Sequence, residues 1–67
     1  MTVDTTVYSV AKGQSPKGDG TWRFAVKDYS HQGTVQMKGQ YGTACIAAQL
    51  KARFEGYSLN ATLTVLP

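Results

Sequence analysis

The sequence predicts an α+β domain of order β-β-β-α-β, a mainly antiparallel four-stranded sheet covered on one face by a single helix. Three observations predict it. Thr21–Lys27, Thr34–Lys38 and Leu59–Leu66 alternate apolar and polar residues, as strands with one buried face do. Gly42–Gly56 is the one segment whose apolar residues recur at helical spacing. Finally, 67 residues make one domain, so that helix is the only cover available to the sheet.

Taken in order, Thr5–Ala11 is dense in β-branched and aromatic residues and reads as the first strand. Val7 and Tyr8 are adjacent, which suits an interior strand buried on both faces. Lys12–Gly20, with three glycines and a proline, reads as a mobile loop or long hairpin connection. It lacks the Gly-Lys-Ser/Thr ending of a phosphate-binding loop. Thr21–Lys27 is the cleanest strand, with Trp22, Phe24 and Val26 on one face and Arg23, Ala25 and Lys27 on the other. Asp28–Gly33 is a polar hairpin turn. Thr34–Lys38 points Val35 and Met37 inward, and Leu59–Leu66 does the same with Leu59, Ala61, Leu63 and Val65. This last strand is expected to lie parallel to the first, through a right-handed crossover.

In the helix, Ile46, Ala47, Leu50, Phe54 and Tyr57 fall within an arc of about 100° and are expected to face the sheet. Thr43 is placed to cap the start, and Gly56 to supply a left-handed residue after the end. Ala44, Ala48 and Ala52 then line the back of the helix beside Cys45. Such a strip permits close approach of a second copy, making these alanines a candidate homodimer contact. Alanine is also simply the best helix former for a surface position.

Composition narrows the function. Hydrophobic content of 42% is too high for a disordered chain and sufficient for a core. One cysteine excludes an internal disulfide, and with one histidine it leaves no ligand set for zinc, so no metal or cofactor is expected. The free thiol fits a reducing, cytoplasmic setting. No basic region followed by an apolar run marks a secretory signal, and no apolar run reaches membrane-spanning length. The four carboxylates, Asp4, Asp19, Asp28 and Glu55, fall at a terminus, a loop, a turn and a helix end. None forms an acid–base pair, and no Ser, Cys or carboxylate singles out His31 as a base, so no enzyme is expected.

The formal charge of +3 has one placement of interest. The sheet face away from the helix is expected to carry Arg23, Lys27 and Lys38 among Thr34, Gln36, Asn60, Thr62 and Thr64, without an acid. Lys12 and Lys17 of the glycine-rich loop extend it. These five cations are the candidate nucleic-acid-binding residues, since charge-assisted phosphate contacts supply most non-specific affinity. A solvated face kept soluble by Lys and Arg is the plainer reading. Trp22 and Phe24 belong to the opposite, core face, whereas Tyr29 in the turn is free to project as a stacking platform.

Val7-Tyr8, the loop ending at Gly20, and Trp22 with Val26 resemble the opening strand, glycine-rich hairpin and second strand of the ribonuclease H fold. The similarity covers about half of that family's domain. The metal-binding carboxylates do not carry over, because Val10 and Ala44 stand near their positions, so the resemblance implies the fold in an inactive form. The three-strands-then-helix order, with Trp22 opening the second strand, is also similar to the arm-site DNA-binding domains of tyrosine integrases. That resemblance implies a sheet face meeting DNA through Arg23, Lys27 and Lys38, in a phage or mobile-element protein. A reading of another class is a protein-binding inhibitor or adaptor, a phage-encoded antagonist of a host complex in the manner of anti-CRISPR proteins. It would act through an exposed strand edge or the alanine face.

Overall fold

In a computed structural model describing residues 1–67, the chain runs β1 (Thr2–Asp4), α1 (Thr6–Lys12), β2 (Asp19–Lys27), β3 (Gln32–Gln40), α2 (Tyr41–Phe54) and β4 (Thr62–Val65). The class is α+β as expected, with a four-stranded, mostly antiparallel sheet. It has two helices, however, in the order β-α-β-β-α-β. Spatial strand order is β1-β4-β2-β3, with β1 parallel to β4 and the other pairs antiparallel.

The extra helix corrects the reading of Thr5–Ala11 as a strand: Thr6–Lys12 is α1. Asp4 starts it by accepting the Thr6 N–H at 2.9 Å, and Gly13, at φ 71°, stops it. β-branched density is a weak signal over seven residues, and here a tertiary contact overrides it, because Tyr8 packs on Trp22 at 5.5 Å between ring centroids. The strand parallel to β4 exists, but it is Thr2–Asp4. Val7-Tyr8, which suggested the opening strand of a ribonuclease H fold, therefore lies on a helix.

β2 and β3 form a hairpin of two nine-residue strands in which Trp22 faces Met37 and Phe24 faces Val35. β4 joins the other side of β2, with Phe24 opposite Val65 and Val26 opposite Leu63. The inner face so formed holds the expected core: Trp22, Phe24, Val26, Val35, Leu63 and Val65 are buried, with Ala61, and Met37 is half-buried. Trp22 sits between Tyr8 of α1 and Tyr41 of α2, which puts both helices on this one face. Its indole N–H donates to the Gly39 carbonyl at 3.1 Å.

α2 meets the sheet with the opposite side from the one its apolar arc suggests. Ala44, Ala48 and Ala52 are buried in the core, whereas Ile46, Leu50 and Phe54 face water. The sheet supplies the bulk through Trp22 and Phe24, so the helix settles where its side chains are small enough to let the backbones approach. Leu59, expected inward on the last strand, is exposed in the turn before β4. Nor does Thr43 cap the helix. Gln40 precedes it without a side-chain bond, and the Tyr41 N–H donates to the Gly18 carbonyl at 2.9 Å.

The end of α2 follows expectation. Gly56 adopts φ 96°, its N–H donates to Arg53, and the Tyr57 N–H donates to Ala52 at 3.0 Å. These two bonds make a Schellman ending that turns Tyr57 back over the sheet. Its hydroxyl fills the space above Gly33, where a Cβ would come within 2.6 Å.

Candidate nucleic-acid interface

With both helices on the inner face, the alternation of β2 leaves Thr21, Arg23, Ala25 and Lys27 on an uncovered sheet surface. Arg23 pairs across with Gln36 and Lys38 with Thr21, so Arg23 and Lys38 are diagonal neighbours. Lys27 stands four residues along β2 from Arg23, about 13 Å away, between Gln32 and Thr62. Ala25, Thr34, Thr62 and Thr64 line a shallow depression of about 560 Å³ beside Lys27.

Lys12 is the last residue of α1 rather than part of the loop, and with Lys17 of the loop it stands at one end of the sheet. Lys12 and Lys17 line a hollow of about 370 Å³ together with Arg23, Tyr8, Trp22 and the acid Asp19. The structure thus gathers Lys12, Lys17 and Arg23, sets Lys38 diagonally from Arg23, and leaves Lys27 at the far end. Tyr29 projects almost fully into solvent and shares a hollow with Lys27, Asp28 and Asn60.

The face is not free of acids as expected. β2 begins two residues earlier than the alternation indicated, so Asp19 shares the parity of Arg23. Asp4 lies opposite Thr64 and so on the same surface. Both acids are marginal, one at the first residue of β2 and one on the edge strand. The Asp4 carboxylate is held below its ordinary pKa by the Thr6 N–H it accepts. Neither pairs with a cation. The sole ion pair is His31 Nδ1 with Asp28 Oδ1 at 3.5 Å, so all seven Lys and Arg side chains lack a carboxylate within 4 Å.

The alanine strip cannot serve as a dimer contact. Ala44, Ala48 and Ala52 are already covered by the chain's own sheet.

The hairpin turn contains a constellation that the sequence left undescribed. Asp28 Oδ1 accepts the N–H groups of Ser30 and His31, each at 3.0 Å, and Oδ2 accepts the Ser58 N–H at 2.9 Å. The side chain is 3% exposed. The Ser58 and Ser30 N–H groups hold its carboxyl down at about 2 against the opposing effect of burial, with smaller help from the His31 N–H and ring. Ser30 Oγ meets His31 Nδ1 at 2.9 Å, the same nitrogen that faces Asp28, so the imidazole cannot relay a proton between them. Asp28 fastens the β2–β3 turn to the loop before β4, and His31 stacks on Tyr57 at 4.4 Å. The signal was present as Asp28 two residues before Ser30, an Asx-turn spacing. The long-range partner Ser58 has no local signature.

Elsewhere, burial pushes the Tyr41 phenol up to about 12, with Cys45 adding to the effect. No three of the His, Cys and acidic residues converge as a metal site. No helix is long and apolar enough to cross a membrane. No protein-family model, characterised protein or solved structure matches the chain.

Proposed function

We propose that the chain is a nucleic-acid-binding module that engages phosphates through its uncovered sheet face. One observation carries this reading: Arg23, Lys27 and Lys38 stand on a surface no helix covers, and no carboxylate lies within 4 Å of them. Lys12 and Lys17 extend the contact from Arg23, and Tyr29 beside Lys27 offers a base a ring to stack on. The groups between the cations are neutral threonines and glutamines, and the contact has at most five cations. Affinity is therefore modest, salt-sensitive and weakly selective for sequence, in keeping with a small phage or mobile-element DNA-binding protein.

The test is fluorescence anisotropy of labelled single-stranded DNA, duplex DNA and RNA at two salt concentrations. The label belongs on the nucleic acid, because Trp22 is buried on the opposite side of the sheet. Three to five phosphate contacts lower duplex affinity by roughly 40-fold or more between 50 and 200 mM salt. Arg23→Glu with Lys27→Glu should abolish binding. Absence of binding at low salt retires the proposal.

A second reading draws on a separate observation. The strand order leaves all nine residues of β3 with one unpaired edge. Such an edge accepts an extended segment of another protein, as an inhibitor or adaptor does. That reading requires no nucleic-acid affinity, so the anisotropy experiment separates the two.

A further inference from the structure

Ile46, Leu50 and Phe54 lie at i, i+4 and i+8 on the solvent side of α2, and Leu59 and Met1 meet Ile46 and Leu50 at a small hollow there, rimmed by Gln49 and Arg53. Ile46, Leu50, Phe54 and Leu59 expose 62, 59, 94 and 64% of their surfaces. Together that is on the order of 500 Å², the size of the largest apolar patch on a typical monomer. Two such faces together would bury on the order of 1,000 Å², the lower bound for a specific protein–protein interface.

We infer that this face is the contact between two copies of the chain, paired antiparallel through α2 about a twofold axis at Leu50. Phe54 of one copy packs over Ile46 of the other, and Leu50 meets its own equivalent. Charge selects this arrangement. The first nine residues of α2, Tyr41–Gln49, carry no charge, and the rest carries Lys51 and Arg53. Antiparallel pairing about Leu50 sets Arg53 of each copy beside the neutral Ala47 of the other, whereas parallel pairing stacks Arg53 against its own copy. The small core argues for the same occupant. The largest fully buried side chains of the isolated chain are Phe24, Leu63, Val26 and Val65. The dimer adds four large apolar side chains from each copy, the kind of supplement that domains below about 70 residues draw on.

Sedimentation equilibrium over a concentration series tests this. The expected result is a mass rising to twice 7.2 kDa, reverting to the single-chain mass in Leu50→Glu and in Ile46→Glu. Both variants should keep their circular dichroism and Trp22 emission, because the replaced side chains face water in the folded chain. A wild-type mass that stays single at high concentration overturns the inference and hands the face to a different protein. So does a dimer that survives both variants. The axis has its own check in a Cys45→Ser background: Leu50→Cys should form an intermolecular disulfide under mild oxidant. Failure to cross-link in a dimeric sample overturns the antiparallel geometry.

Discussion

Asp28 shows how one carboxylate joins segments thirty residues apart. Its bonds to Ser30, His31 and Ser58 all favour the ionised form, which is why its carboxyl titrates near 2 rather than at the ordinary 3.8. Because the folded value lies below the unfolded one, the folded state holds the ionised group more firmly. That stabilisation is complete above about pH 4 and is lost as pH falls through 2. Acid unfolding followed by Trp22 emission should therefore show a loss of stability within that window. Asp28→Asn should lower stability at neutral pH and flatten this acid limb. An unchanged acid profile in the variant would show that the carboxylate does not fasten the turn. Gly56 makes a second point through its left-handed backbone. Gly56→Ala should cost about 1 kcal/mol, because a Cβ is disfavoured at that angle. Urea unfolding measures it.

The two helices mark where local sequence stopped being informative. β2, β3 and β4 are readable because period-two alternation survives whatever packs on the sheet, and apart from Leu59 and the half-buried Met37 their inward residues are the core residues found. α1 was not readable. Val7 and Val10 look like strand residues, and the reasons they are helical, Asp4 at the start and Tyr8 on Trp22, lie partly outside the segment. The sequence of α2 marks it as a helix but points to the wrong buried side, because apolar arc width ignores the bulk already present beneath it. A paired comparison checks the corrected orientation at concentrations too low for association. Ala48→Leu should destabilise by about 1–3 kcal/mol, since the site against Phe24 and its neighbours has no room. Leu50→Ala should stay within about 0.5 kcal/mol. Reversal of that order would restore the arc-inward helix. The basic residues fared better: Arg23, Lys27 and Lys38 share the face expected from alternation alone, whereas the position of Asp19 depended on where β2 begins.

The chain is a slab with principal extents of 32 × 21 × 14 Å, one sheet under one layer of helices. Such a slab has little stability in reserve, roughly 3–10 kcal/mol for this length. Phe24 is fully buried at the centre of the sheet, opposite both Val35 and Val65. Phe24→Ala should cost about 3–5 kcal/mol, a large share of that reserve, and lower the melting midpoint by more than about 10 °C by circular dichroism. Retention of a cooperative melt near the wild-type temperature would place the core elsewhere. The slab is also two-sided: its helices close one surface, and its sheet leaves the other open. Two slabs joined helix to helix would turn their open surfaces in opposite directions, so a single particle could grip two strands and could not wrap around one. Long nucleic acid mixed with such particles would become a network, turbid near equivalence and clear again when protein is in excess, as each strand acquires its own particles and the bridges dissolve.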